Sequence, residues 1–397
     1  MGLEKSFDTI NESDIRQLLE NQISERKTIE YKQVLPENKY DSKKEFLADV
    51  SSLANTAGGH ILYGIKEENG IPVELMGISN NDLDNEILRL ENLLRDGIQP
   101  RIQGISIKSI PVERGNPVIV IRVPQSWSKP HVVNFQGHWR FYARNSAGKY
   151  PLDVMELKSA FLATNALGEK IRNFHFDRLS KISSDEIPVH LTGKARIILH
   201  SIPYSAFESG QSISFTSIEK DIWSIPLIYS SVSDFRYNLD GLIALNERGD
   251  NTFGAYAQIY RNGVIESVST RLFGDRTEDP YIPSSVFEEE IIKSLETCIT
   301  LYQKLLVNLP FVLLVTFAGV QGYKLAVNQR LDTWHQHTHK IDRNLLLLPE
   351  TIIEDFAVDP STALRPIFDS VWNAAGWARS YGYNDAGEWG KGGNYLR

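Results

Sequence analysis

Two stretches, Thr28-Ile-Glu-Tyr-Lys32 and Ser52-Leu-Ala-Asn-Thr-Ala-Gly-Gly-His-Ile-Leu-Tyr-Gly-Ile65, decide the fold of the first part of this 397-residue chain. The first is a short β-prone run with an acid and a lysine two apart. In the second, a helix stops at a double glycine, which accepts the left-handed backbone of a helix exit, and a buried strand follows. Upstream, Ser42 with Glu45 three residues later reads as a capping box opening a helix over 43–56. Phe46, Leu47, Val50, Leu53 and Ala54 fall on one face of that helix at helical spacing. Downstream, Glu67-Glu68-Asn69-Gly70 reads as a turn, with 73–78 pairing beyond it.

The same patterning extends outward. Residues 11–22 form a helix capped by Asn11 or Ser13, and 82–96 form another with Leu83, Ile87, Leu90 and Leu94 inward. Strands are expected over 105–110, 118–123 and 138–144. The last alternates: Trp139, Phe141 and Ala143 face one way, His138, Arg140, Tyr142 and Arg144 the other. A helix opens at Pro151 and runs to Phe161, and a boundary follows near 165–169. The remainder reads as mixed helix and strand. It has a helix over 171–182, a strand over 196–203 and a hairpin around Arg261-Asn262-Gly263. Beyond it come a long amphipathic helix over 283–306, a strand over 311–317 and a helix over 363–378. The class is α+β, in two domains over 1–165 and 166–397.

Composition is that of a globular protein, 42% hydrophobic and 23% charged. Cys298 is the single cysteine, which excludes a disulfide framework and a thiolate zinc site and fits a reducing, cytoplasmic setting. The start lacks the basic residues and apolar core of a secretion signal, and the most apolar run, 309–319, is too short to span a bilayer, so no membrane partner is expected. The net charge of −8 argues against passive coating of DNA. Its distribution is uneven: 101–150 holds eight Lys/Arg against one acid, Glu113, whereas 1–100 holds 11 basic and 19 acidic residues. A basic segment inside an acidic chain is a footprint for phosphate, or equally a solvated sheet face.

Taken together, Glu25, Glu30-Tyr31-Lys32, the Phe46–Asn55 helix, Thr56-Ala-Gly-Gly59, the strand 60–64 and the strand end over 140–149 resemble the Alba-like domain shared with Schlafen proteins. The resemblance covers about the first 165 residues and implies nucleic-acid binding. In nuclease members three acids hold a divalent metal that drives RNA cleavage. Two lie five residues apart before the first helix, and the third follows the glycine-ended strand. Glu25 and Glu30 match the first two. The third falls at Lys66 or Glu67; lysine cannot ligate a metal, so Glu67, with Glu68 beside it, stands for it. The resemblance thus implies catalysis by Glu25, Glu30, Lys32 and Glu67, with Mg²⁺ or Mn²⁺ on Glu25, Glu30 and Glu67. Related proteins build a nucleic-acid cleft from two lobes, and this chain has one, so a homodimer is expected. Antiviral defence is the implied context.

The residues carry part of this chemistry unaided. Glu30 and Lys32 share a face of a strand. A carboxylate there suits the oxygen preference of Mg²⁺ or Mn²⁺, and a neighbouring lysine offsets charge on a cleaved phosphate. Glu25 converges with them only if the chain turns near Arg26-Lys27. The ordinary alternative is a surface ion pair. For nucleic-acid contact the candidates are Arg140, Tyr142, Arg144 and Lys149: arginine grips phosphate and tyrosine stacks on a base. No strand–GxxxxGK–helix arrangement exists, so ATP is not expected. His335, His337 and His339 alternate as a strand would present zinc ligands, though such runs are more often loops. Glu288-Glu289-Glu290 suits the positive end of a helix. Trp372, Trp377 and Trp389 are core or a recognition surface. The expected function is a metal-dependent endonuclease acting on structured RNA, ahead of DNA; the alternative is a non-catalytic nucleic-acid-binding or sensing protein whose C-terminal domain binds a partner or ligand.

Overall fold

The computed structural model describes residues 3, 7–79, 82–113, 115–208, 212–249, 251–274, 278–327 and 339–390. His335 and His337 lie outside them. The chain divides into two units, Met1–Ala166 and Leu167–Arg397, and is α+β in both.

In the N-terminal unit the elements run α1 (Glu12–Glu20), β1 (Ile29–Lys32), α2 (Tyr40–Asn55), β2 (Gly59–Tyr63), β3 (Ile65–Glu68), β4 (Ile71–Leu75), α3 (Leu83–Gly97), β5 (Ile98–Gln99), β6 (Ser106–Ile110), β7 (Val118–Val123), β8 (Val132–Phe135), β9 (His138–Asn145) and β10 (Gly148–Pro151). One sheet has the order β1-β2-β7-β6, with β1 and β2 parallel and the other pairs antiparallel. Strand alternation divides its apolar side chains between two faces. Ile61, Tyr63, Ile119 and Ile121 pack with Phe46, Leu47, Val50 and Leu53 of α2 and Leu90 of α3. On the other face Leu62, Val118 and Val120 pack with Ile15 and Leu18 of α1 and Tyr31. A second antiparallel sheet, β10-β9-β8-β5, lies beside α2.

The double glycine does what its position requires. Gly59 has φ +149, and a Cβ there would stand 2.3 Å from the Thr28 carbonyl oxygen. Only glycine lets β2 approach the entry of β1 so closely. The capping box expected at Ser42 and Glu45 is not formed. Helix α2 begins earlier, after Lys39, without a side-chain cap bond, and Glu45 is drawn to Lys149 instead. Asn11 caps α1, in a reciprocal pair with Asp14.

Helix α4 (Val154–Ser183) is continuous across 165–169, and the division between the two units falls within it, between Ala166 and Leu167. No proline interrupts it, and Gly168 alone is too weak a breaker among good helix formers. Its residues from Leu167 onward belong to the C-terminal unit. There follow β11 (Arg196–Pro203), β12 (Asp234–Tyr237), β13 (Gly241–Gly249), β14 (Thr252–Tyr260), β15 (Ile265–Ser269), β16 (Tyr281–Pro283), α5 (Ser284–Lys304), β17 (Phe311–Ala318), β18 (Lys324–Ala326), β19 (Leu345–Leu347), β20 (Thr351–Ile353) and α6 (Pro360–Ala374). The main sheet is antiparallel, ordered β12-β13-β14-β15-β11-β17-β19, with β20 also on β17. The hairpin at Arg261-Asn262-Gly263 joins β14 to β15, as its turn residues predict.

One face of this sheet, through Ile197, Leu199, Leu313 and Val315, packs on α5 and α6. The other, through Ile198, Tyr256 and Val268, packs on Leu179 and Ile182 of α4. Cys298 is fully buried on α5, as expected for a core residue. Glu288 does not serve the helix end: it is buried and accepts hydrogen bonds from Trp372 Nε1, Ser380 Oγ and Trp389 Nε1. Trp372 and Trp377 are therefore core residues. Among the described residues no helix is long and apolar enough to cross a membrane.

Candidate functional site

Strand β1 sets Glu30 and Lys32 on one face, and α2 brings Asp49 to the same place. Lys32 Nζ lies 2.7 Å from Glu30 Oε1 and 3.8 Å from Asp49 Oδ2. From the end of β9, Arg144 donates through Nη2 to Glu30 Oε2. From β10, Lys149 Nζ donates to Asp49 Oδ1 at 2.7 Å and also to Glu45. Three cations and three acids thus interlock, and Glu30, Asp49 and Arg144 are buried. The Thr56 hydroxyl accepts the Arg144 N–H, and Asn55 Nδ2 donates to the Tyr142 carbonyl at 2.8 Å. These two contacts lock the end of α2 to β9.

The electrostatics follow from burial and partners. Burial works against the Glu30 charge, but the Arg144 and Lys32 cations outweigh it and hold that carboxyl below its ordinary range. Asp49 is the reverse: burial raises its carboxyl, and Lys149 and Lys32 offset this only in part. Lys32 is held above its ordinary range, burial being overcome by Asp49 and Glu30.

Arg26 and Ile29 exchange backbone hydrogen bonds, so the chain does turn where Glu25 needs it to. Glu25 Oε1 then accepts the Tyr31 N–H at 2.9 Å. Burial raises its carboxyl, and the charges of Glu30 and Glu67 add to the effect. Glu67 bends onto the Gly70 N–H of its own turn, and Lys66 pairs with Glu68 at 3.2 Å. Glu30 and Glu67 therefore both act on Glu25 through their charges. The three are not a cage: among the described residues no group of three or more His, Cys, Asp or Glu is placed to hold a metal ion. In this arrangement, of the donors implied for Mg²⁺ or Mn²⁺, Glu30 is engaged by Lys32 and Arg144, Glu25 by a backbone N–H and Glu67 by its own turn.

The proposed contact face also divides. Arg140 is exposed and has no ion pair among the described residues. Tyr142 is half-buried, and its hydroxyl meets His138 Nε2 at 2.9 Å with the rings stacked 6.2 Å apart. Burial lowers the His138 pKa, with Lys44 and Arg140 adding to it. Lys44 of α2 lies over the Tyr40 ring at 5.2 Å. Arg144 and Lys149, expected on the same surface, are instead committed to the acids. Trp139, on the other side of β9, is 61% exposed. Asp49 is the functional-site residue that the sequence did not single out; its helical position reads as one more polar residue on α2.

The Schlafen, AlbA_2 family model matches residues 25–153, the span that holds this network and the β9 surface, so the N-terminal unit carries the Schlafen/Alba-like domain. The match points to a nucleic-acid-related function. No curated protein matches the chain. Among solved structures, the DIP2311 protein of Corynebacterium diphtheriae is similar at 17% identity and a TM-score of 0.25. That similarity covers 36% of this chain and 26% of that protein's, so this chain spans about a quarter of its length.

Proposed function

We propose that the N-terminal unit binds nucleic acid, RNA ahead of DNA, through the outer half of β9 and the start of α2, without three-carboxylate metal chemistry. The observation that carries this is the division of the cations. Lys32, Arg144 and Lys149 are neutralised by Glu30, Asp49 and Glu45, whereas Arg140 stands exposed beside the His138–Tyr142 pair. An unspent arginine offers a phosphate contact, and flanking rings offer stacking to an unpaired base. Tyr40 and Lys44 extend the same surface onto α2.

The test is fluorescence anisotropy with a tRNA-like hairpin and a single strand of DNA over a salt series, alongside gel analysis with Mn²⁺ or EDTA. The expected result is salt-sensitive binding without metal-dependent cutting. Arg140→Ala should weaken binding about tenfold and reduce the salt slope by about one. Metal-dependent cutting that Glu30→Gln abolishes while binding persists would restore the nuclease reading. Absence of binding at low salt would sink both.

A further inference from the structure

The C-terminal unit holds a buried polar chain that reaches the wall of a surface cleft. Glu266 of β15 is fully buried and accepts four hydrogen bonds. Arg178 of α4 donates Nε to Oε2 at 2.7 Å and Nη2 to Oε1 at 2.9 Å. Tyr256 Oη donates to Oε1 and His200 Nε2 to Oε2, each at 2.9 Å. His200 Nδ1 and His175 Nδ1 share a hydrogen bond at 2.9 Å. His175 Nε2 in turn shares one with Thr316 Oγ1 at 3.2 Å. Apolar packing of similar volume would hold α4 on the sheet at least as well. What the chain does achieve is to fix one guanidinium.

That guanidinium lines a cleft of about 490 Å³, within the ~300–1,000 Å³ typical of small-ligand sites. Arg178 stands 5.9 Å from the Tyr260 ring centroid, and Arg236, Asp240, Glu186 and Leu239 line the rest. Arg178 is electrically balanced by Glu266. Arg236 has one long backbone hydrogen bond, to the Pro188 carbonyl at 3.4 Å, and no ion pair among the described residues. Asp240 and Glu186 likewise carry no ion pair among the described residues. The turn that bears Asp240 is braced, because Arg261 donates to the Leu239 and Asp240 carbonyls. Leu239 itself is 91% exposed on the rim.

We propose that this cleft binds a small zwitterion of the α-amino-acid class with an apolar side chain. Its carboxylate pairs with Arg236 beside the fixed Arg178, its ammonium with Asp240 and Glu186, and its side chain covers Leu239. An anion alone would meet two unneutralised acids, and a cation alone would leave Arg236 unpaired. The zwitterion satisfies both sets, and Leu239 selects an apolar side chain.

Isothermal titration of the full chain with leucine tests this, with N-acetyl-leucine and leucinamide as the blocked forms. Saturable binding by leucine, with each blocked form at least about tenfold weaker, is expected. Arg236→Ala and Asp240→Asn, both at exposed positions, should each weaken leucine binding about tenfold without lowering the thermal midpoint. No saturable binding of leucine up to about 10 mM, or equal binding by a blocked form, overturns the proposal. The nucleic-acid reading of the N-terminal unit is untouched by either result.

Discussion

The Arg144 guanidinium closes on the Glu30 carboxylate across 114 positions of sequence, with both side chains buried. Among the described residues Arg144 Nε and Nη1 have no hydrogen-bond partner, so this arginine depends on Glu30 for its compensation. Removing one member of such a pair leaves an uncompensated buried charge and costs about 3–5 kcal/mol. Glu30→Met and Arg144→Met should each lower the unfolding free energy of the N-terminal unit, measured by urea denaturation, by an amount of that order. The joint substitution should recover at least half of the loss. Additive losses in the double variant would show that the two side chains are not coupled.

This pair also marks how far the sequence could be read. The β9 alternation correctly places Arg140, Tyr142 and Arg144 on one face, because a strand's period of two is a local property. The fate of those side chains is not local. Arg144 and Lys149 are captured by acids from β1 and α2, about a hundred residues away in sequence. Glu45 shows the same limit: three residues after Ser42 it has capping-box spacing, yet Lys149 holds it. Elements whose signal is periodic or conformational, such as α2, the Gly58-Gly59 exit and the Arg261-Asn262-Gly263 hairpin, were legible. Asp49 was not, because nothing around it in sequence foretells two lysines arriving from β1 and β10. Helix α4 runs through the boundary expected near 165–169 because its lone glycine there, Gly168, costs a helix only about 1 kcal/mol.

Gly59 and Gly148 separate two costs that both come from a positive φ. At Gly59 an added Cβ meets the Thr28 backbone at 2.3 Å, whereas at Gly148 (φ +116) nothing lies within 4 Å. Gly148→Ala should cost about 1 kcal/mol from backbone strain alone. Gly59→Ala should cost more than about 2 kcal/mol, since the β1–β2 pairing must shift as well. Hydrogen exchange at Tyr31 and Leu62 would report that shift, speeding up in Gly59→Ala and not in Gly148→Ala. Equal costs would mean that the approach of β2 to Thr28 is not tight.

His175 gives the C-terminal unit a predicted acid sensitivity. Burial, with His200 beside it, pushes its pKa down to about 3 from an ordinary 6.5. The folded ring stays neutral where the unfolded ring takes up a proton. Stability on this account is fully present above pH 6.5 and is lost as pH falls from 6.5 toward 3. The slope in that window is at most about 1.4 kcal/mol per pH unit for this one group. His175→Phe should lower stability at pH 7, because His200 Nδ1 loses its hydrogen-bond partner, but it should flatten the dependence between pH 6.5 and 4. Urea denaturation at three pH values in that interval measures the slope. An unchanged slope would place the proton uptake on other groups.

Glu266 should show the opposite resistance to acid. Burial opposes its charge, but the hydrogen bonds of His200 and Arg178 prevail and hold its carboxyl at about 2, below the ordinary 4.5. Its contribution is present above pH 4.5 and disappears only as pH falls through about 2. Glu266→Gln puts an amide N–H against donors from Arg178 or His200, and should cost about 3 kcal/mol or more at pH 7. Tyr256→Phe removes one of the four donors and leaves the carboxylate charged, which should cost only about 1 kcal/mol. The two variants also separate the proposed roles of this chain. Tyr256→Phe keeps Arg178 fixed by two bonds, so binding of a zwitterion in the cleft should persist. Glu266→Gln removes the charge that balances Arg178, and the surplus positive charge should shift the cleft toward the anionic N-acetyl-leucine. Loss of leucine binding in both variants alike would make Glu266 a stability element with no part in the cleft's selectivity.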